Sequence, residues 1–317
     1  MTDALIDVVV AGQTLAGDGV VALTLRHPER EPLPAPDPGA HIDLHLPAAR
    51  ALIRQYSVVD ASGEDSYVVA VQDEPQGRGG SRYVHERLRV GDHVKISAPR
   101  STFPLALDRP AVLLAGGIGI TPLIAMADAL AAAGTPFELH GFANGELPLS
   151  DLIAARSWAS SVRAYDTRVV NPLRDATLAW TITPDTIVYA CGPGRFLDSV
   201  RAAALSAGVR EEAVRVERFA IDEPVSLEGD AFTVVAASTG ERMPVAEGET
   251  IAEVLDRHGY EVVLSCEQGI CGSCLTGVLS GVPDHRDEIQ TAAEHAANDQ
   301  INVCVSRSCT PDLVLDL

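Results

Sequence analysis

Three cysteines within nine residues, Cys266, Cys271 and Cys274 in "SCEQGICGSC", constrain this chain more than any other feature, because thiols so close in sequence must share one tight loop. Gly269 and Gly272 stand between them and let backbone NH groups turn inward without side chains intervening. Cys304 follows thirty positions after Cys274 and can add a fourth thiolate. The opening "MTDALIDVVVAG" has an acid where a signal peptide would be basic. The longest apolar stretch, "AVLLAGGIGITPLIAMA", is interrupted by glycines and a proline. The chain therefore reads as cytoplasmic, and in a reducing compartment clustered cysteines act as metal ligands or catalytic groups before they act as disulfides.

The C-x4-C-x2-C spacing with a distant fourth cysteine is the plant-type ferredoxin arrangement, in which four thiolates hold a [2Fe-2S] cluster. A strand, "INVCVSRS", is expected to carry the fourth ligand. The alternatives are a structural zinc site and incidental buried thiols. Zinc sites present paired C-x2-C knuckles, and only one occurs here, inside a longer glycine loop. Cys191 and Cys309 fall outside the pattern, and Cys309 reads as structural.

At 317 residues, 46% of them apolar, the chain has material for two or three domains with cores of their own. From Ile6 to about Pro99 six short alternating runs separated by Gly, Pro and Asp clusters predict an antiparallel β-barrel, interrupted by a helix with Ser81 as N-cap. After Leu105 apolar strands alternate with glycine turns and helices, which predicts an α/β parallel-sheet nucleotide-binding domain. The acidic, aperiodic "IDEPVSLEGD" reads as a linker into an α+β, β-grasp-like ferredoxin domain. The expected division is a flavin domain over 1–104, a nucleotide domain over 105–222 and a ferredoxin domain with its linker over 223–317. The protein is thus read as multidomain.

A formal charge of −20, with Lys95 the only lysine, excludes nucleic acid and anionic membrane surfaces as partners. From Gly229 onward 15 acids face four arginines, a net of −11, so the C-terminal part offers either a solvated face or a docking face for a basic partner.

Three glycine-rich stretches point to binding sites in the first two domains. In the barrel, "RQYS" (Arg54, Gln55, Tyr56, Ser57) and "GRGGS" (ending Gly79, Gly80, Ser81) pair a cation with a glycine turn suited to a phosphate. The bland reading is a tight turn beside a surface arginine. In the second domain "GGIGITP" (Gly116, Gly117, Gly119, Thr121, Pro122) and "CGPGRF" (Cys191, Gly192, Pro193) open two helices after strands, on the carboxyl edge where open α/β sheets bind ligands.

Taken in order, these motifs with "ERF" and the cysteine loop resemble the phthalate dioxygenase reductase family over nearly the whole chain. That resemblance implies FMN in the barrel, NADH in the second domain and a [2Fe-2S] cluster in the third. It places Arg54, Gln55, Tyr56, Ser57, Val71, Gly79, Gly80 and Ser81 at FMN, and Thr121 near the flavin and nicotinamide. Phe219 would lie against the isoalloxazine. Gly116, Gly117, Gly119, Pro122, Gly192 and Pro193 would line the NADH site, with Cys191 at the nicotinamide. Thr121, Cys191 and Phe219 are the implied catalytic residues, and Cys266, Cys271, Cys274 and Cys304 the metal ligands. "GVPDHRD" (Gly281 to Asp287) also matches a recurring stretch of the family. One position departs: Asp73 stands where relatives carry arginine before the glycine turn.

The absence of Arg and Lys from "HGFANGELPLSD" favours NADH over NADPH. The implied activity is electron transfer from NADH through FMN and the cluster to a terminal oxygenase component, a Rieske non-haem iron enzyme acting on an aromatic compound. A haem-thiolate monooxygenase partner is the alternative in the same reaction class. An iron-sulfur redox sensor is the alternative in another, though a sensor needs no hydride donor.

Overall fold

The computed structural model describes residues 5–47, 52–221 and 224–317. Met1–Phe219 forms one compact unit and Ala220–Leu317 another.

The first unit begins with a closed antiparallel barrel of β1 (Ile6–Gly17), β2 (Val20–Arg26), β3 (His41–Leu46), β4 (Leu52–Asp60), β5 (Ser66–Gln72) and β6 (His93–Ile96), in the order β1-β2-β5-β4-β3-β6. Alternation drives it: Val8 and Val10 of β1, Leu23 and Leu25 of β2, and Ile42 and Leu44 of β3 are all fully buried, each separated by a residue facing the other way. Pairing of β6 with β1 removes the free edges. Helix α1 (Gly80–Glu86) covers one end with Val84. It starts two residues earlier than expected. Gly79, left-handed at φ 83°, is the N-cap, and Ser81 lies inside the first turn, where its Oγ accepts from the backbone NH of Glu74 at 3.1 Å.

The same unit continues into a parallel sheet: β7 (Ala111–Gly116), α2 (Ile120–Ala133), β8 (Phe137–Ala143), α3 (Ser150–Ala154), β9 (Val162–Asp166), β10 (Ile187–Cys191), α4 (Gly194–Ser206) and β11 (Val214–Glu217). Sheet order is β11-β10-β7-β8-β9, so the chain reverses its direction of travel between β7 and β10. Those two strands are buried along their whole length, as central parallel strands must be. Barrel and sheet share a core, since Val59 and Phe103 cluster with Leu113, Leu123 and Met126. Arg156 adds an ionic tie, pairing with Asp60 of β4 and Asp128 of α2.

The second unit is a mixed sheet with one helix packed across it. Its elements are β12 (Phe232–Ala236), β13 (Arg242–Val245), α5 (Ile251–Arg257), β14 (Leu275–Ser280), β15 (Pro283–Asp284), α6 (Ala292–Ala297), β16 (Gln300–Asn302), β17 (Arg307–Ser308) and β18 (Asp312–Leu315). The main sheet runs β13-β12-β18-β14-β16, with β12 and β18 parallel, and β15 pairs separately with β17. Ile251, Val254 and Leu255 of α5 bury against Val234, Met243 and Leu313, which gives the β-grasp arrangement. Thr250 and Glu253 form a capping box that fixes where α5 begins.

The expected linker is tied down where it is described. Arg286 donates to the carbonyls of Ser226 (2.6 Å) and Glu228 (2.8 Å), and the buried Arg307 donates to those of Asp230 (3.0 Å), Ala246 (3.1 Å) and Glu249 (2.7 Å). Residues 222–223 of that stretch lie outside the described residues.

Candidate redox site

The four expected thiols converge. Cys266, Cys271, Cys274 and Cys304 are buried and free of disulfides. They fall into two hydrogen-bonded pairs, Cys266 with Cys271 and Cys274 with Cys304. Cys266 and Cys304 are pushed up, first by the bonds to Cys271 and Cys274 and then by burial. Cys271 is held down to about 6 by the bond from Cys266, with Ser273 assisting. Backbone NH groups surround the sulfurs: Gln268 reaches Cys266 at 3.4 Å, Ser273 reaches Cys271 at 3.5 Å, and Gly269 donates to Cys304. Gly269 (φ 71°) must lack a side chain, because a Cβ there would lie 2.7 Å from Val305 and 3.0 Å from the Cα of Asp287. Two thiolate pairs ringed by inward NH groups fit two irons bridged by sulfide and do not fit a single zinc. Cys304 sits in the turn that follows β16, not on a strand, because β16 ends at Asn302. Cys309 is exposed, so it has no packing role.

At the barrel, strand alternation puts Arg54 and Tyr56 on one face of β4 and Gln55 and Ser57 on the other. The Arg54 stem lies over Gly80, where a Cβ would come within 2.4 Å of it, and its guanidinium donates to the carbonyl of Arg78 at 2.8 Å. The double glycine thus has two local causes: Gly79 takes a left-handed turn and Gly80 makes room for Arg54. Helix α1, at seven residues, adds little field of its own, and Arg54 is the cation that β4 brings to this turn. Tyr56 packs on the barrel core, and burial pushes its phenol up. Val71 is buried in the same core with its carbonyl taken by His85 Nε2 (3.1 Å).

Ser57 pairs across strands with His41, and the two side chains share a face. Ser57 Oγ and His41 Nε2 are buried without a hydrogen-bond partner among the described residues. Burial, then Arg100, lowers His41 to about 4, so its ring is neutral at pH 7. Two orphaned polar atoms side by side fit the polar edge of a flavin ring, since buried polar groups are otherwise satisfied. His41 carried no signal in sequence; only its register opposite Ser57 reveals it.

At the carboxyl edge of the parallel sheet the two glycine turns pack backbone on backbone at the point of chain reversal. A Cβ on Gly119 would sit 2.1 Å from the carbonyl oxygen of Cys191, one on Gly192 would sit 2.9 Å from the Cα of Gly116, and one on Gly116 would strike Phe196 and Pro193. Three of the expected nucleotide-binding glycines are therefore required by packing. Gly117 (φ 56°) differs, with open space beside it. Thr121 is buried and donates to the carbonyl of Ile118 at 3.0 Å, and Pro122 fits the first turn of α2. Cys191 is fully buried with its sulfur 3.9 Å from Glu217 Oε2. Burial pushes the thiol well up and raises the Glu217 carboxyl to about 8, so both carry protons at neutral pH. Phe219, two residues on, is 40% exposed. Glu217 carries no signal of its own in "ERF"; only its pairing with Cys191 across β10 and β11 reveals it.

Where β8 and β9 end, Asp166 Oδ1 accepts from the backbone of Gly145 (3.0 Å) and its carboxylate takes a bidentate bond from Arg168 (2.9 and 2.7 Å). That arginine folds back over Gly145, so a cation does stand beside the strand end that looked free of one.

Comparison with known proteins agrees with this geometry. Residues 234–309 match the 2Fe-2S iron-sulfur cluster binding domain family. The whole chain resembles the solved structure of phthalate dioxygenase reductase, with a TM-score of 0.72 and 31% identity over 99% of this chain and 98% of that one. The chain belongs to the phthalate dioxygenase reductase family. The reductase is also 40% identical to the vanillate O-demethylase oxidoreductase of Pseudomonas sp. (strain HR199 / DSM 7063), covering 99% of this chain and all of that one. It is 38% identical to the 3-chlorobenzoate-3,4-dioxygenase reductase subunit of Comamonas testosteroni over 94% and 93% of the two chains. It further resembles part of an intact type IV self-sufficient cytochrome P450 monooxygenase, with a TM-score of 0.82 and 35% identity over 99% of this chain and 41% of that longer one. The reductase is accordingly an oxidoreductase that uses FMN, a [2Fe-2S] cluster and a nicotinamide nucleotide and serves an oxygenase system. No described helix is long and apolar enough to cross a membrane.

Proposed function

We propose that this reductase takes electrons from NADH and delivers them singly to the terminal component of a Rieske non-haem iron oxygenase or demethylase acting on an aromatic compound, in the cytoplasm. The observation that carries the reading is the pair of buried thiol pairs in one chain with a glycine-edged nucleotide sheet and a barrel bearing two orphaned polar atoms. FMN, when bound, supplies the conversion of an electron pair into single electrons.

The chain's residues do the positioning. In this reading residues 1–104, 105–222 and 223–317 are the FMN, NADH and ferredoxin domains. Arg54 and the turn at Gly79 and Gly80 hold the FMN phosphate, while Ser57 and His41 satisfy the polar edge of the ring. Gly117 lets the dinucleotide approach the edge of the sheet. Protonated Cys191 and Glu217 keep that end of β10 free of negative charge, which would repel a hydride on its way to the flavin. Phe219, Gln55 and Ser81 border the flavin, and Cys266, Cys271, Cys274 and Cys304 ligate the irons. Preference for NADH is supported by Asp166, which occupies Arg168 and offers a carboxylate where a 2′-phosphate would need a free cation.

An anaerobic NADH titration followed optically and by EPR tests the scheme. Three electrons per chain and a rhombic cluster signal are expected, and a colourless or zinc-loaded protein would end it. The resemblance to a P450 fusion favours a second acceptor, a haem-thiolate monooxygenase. Reconstitution with purified oxygenases of both classes separates the two.

A further inference from the structure

The family segment Gly281–Asp287 has no part in the scheme above, yet it ends on a buried charge behind the cysteine loop. The Asp287 side chain is fully shielded from solvent. One of its oxygens accepts from the backbone NH of Gln290 at 3.0 Å and faces His295 Nε2 at 3.3 Å, and the other lies 3.9 Å from His285 Nδ1, with Ser306 Oγ at 3.5 Å. The two imidazoles stack, with centroids 4.4 Å apart and planes 18° apart. One ring nitrogen of each imidazole and an oxygen of the carboxylate lie within 4.8 Å of one another, a grouping in which a proton on either ring meets the carboxylate.

His285 shows why a proton is wanted. Its Nε2 faces Asn298 Oδ1 at 3.3 Å, and the Asn298 amide nitrogen is turned to the carbonyl of Ala296, so Nε2 is the donor. In the neutral ring Nδ1 then presents a lone pair to a carboxylate, and it is buried without a hydrogen-bond partner among the described residues. Protonation turns that nitrogen into a donor and completes the array. The neighbouring charges do not do this instead. Arg286 is engaged by Asp284 and by the carbonyls of Ser226 and Glu228, and Arg307 by other carbonyls. Glu294 of α6 closes a capping box with Thr291, and Glu267 and Glu288 add only negative charge.

The carboxylate abuts the cysteine loop. Its Cα and Cβ lie against Gly269, whose carbonyl accepts from Glu288 (3.0 Å) and whose NH donates to Cys304. One residue, Gly269, therefore separates Asp287 from the expected cluster ligand Cys304. We propose that Asp287 with His285 and His295 is a potential-setting group for the cluster, which takes up a proton as the cluster takes up an electron. This rests on the assignment of the [2Fe-2S] cluster to these four cysteines. Reduction adds one negative charge beside a buried carboxylate, and a proton on the imidazole pair offsets it. By reciprocity, protonation must favour reduction by the same factor as reduction favours protonation. The potential then falls as pH rises.

The test is an EPR-monitored potentiometric titration of the full holoprotein between pH 5.5 and 9. A coupling of at least tenfold is expected, which for a one-electron couple is about 59 mV between the two ends. His285→Gln combined with His295→Gln should flatten the dependence and leave the potential at its high-pH value. Asp287→Asn should raise the potential at pH 9 and also remove the slope. The paired histidine variant keeps the idea testable should Asp287→Asn fail to assemble a cluster. A flat wild-type curve, or an unchanged slope in the histidine variant, would overturn the proposal while leaving the cluster in place. Absence of any cluster signal on reduction would overturn both.

Discussion

Gly119 and Glu217 show how much of this reductase is decided at single atoms. A methyl on Gly119 would be driven into the carbonyl oxygen of Cys191, which is backbone and cannot swing aside. Gly119→Ala should cost about 1–3 kcal/mol, as overpacking does, and should weaken NADH binding with FMN content unchanged. Urea unfolding and a nucleotide titration check both arms. Glu217 makes a pH prediction. Burial raises its folded-state carboxyl from 4.5 to about 8. The folded protein therefore keeps a proton that the unfolded chain has already released, and the stability this represents is present below pH 4.5 and lost as pH rises to about 8. Wild type should lose stability relative to Glu217→Gln over that window by up to about 1.4 kcal/mol per pH unit, and the difference should level off above it. Parallel denaturation at pH 5, 7 and 8.5 measures this, and parallel curves would show that the carboxyl is solvated.

At the scale of elements, the ends of strands carry the chemistry and the strands carry only position. Parallel β8 and β9 bring Ala143 opposite Asp166, and this register sets Asp166 and Arg168 beside Gly145. Asp166→Ser should release Arg168 and raise the ratio of kcat/KM for NADPH to that for NADH about tenfold, the worth of one charge-assisted hydrogen bond. An unchanged ratio would remove this strand end from the nucleotide site. The cysteine loop was legible because its chemistry is local: thiol spacing and two glycines describe a cluster-binding turn before any fold is known. The N-terminus of α1 was less so. A serine after two glycines looks like a cap, but a left-handed glycine and the claim of Glu74 on the hydroxyl displace it.

For the molecule as a whole, separate carriers in one chain imply separable activities. Cys271→Ser should abolish delivery to a cluster-dependent acceptor and leave NADH oxidation by a flavin-directed dye within about twofold, since the thiol loop lies in a different compact unit from the nucleotide sheet. Equal loss of both rates would contradict the order of carriers. The amino-acid sequence by itself determined the three fold types, the four thiols and the two glycine turns, because period-two alternation, strand-to-helix punctuation and ligand spacing are local properties of the chain. Tertiary structure alone decided which glycines serve packing and which leave room for a ligand. It alone also set His41 beside Ser57, Glu217 against Cys191, Arg168 over Gly145, and a carboxylate with two stacked imidazoles behind the cysteine loop. These are meetings of residues 16 or more positions apart along the chain or turned toward one another by a tight bend, and only burial and register bring them within a few ångströms.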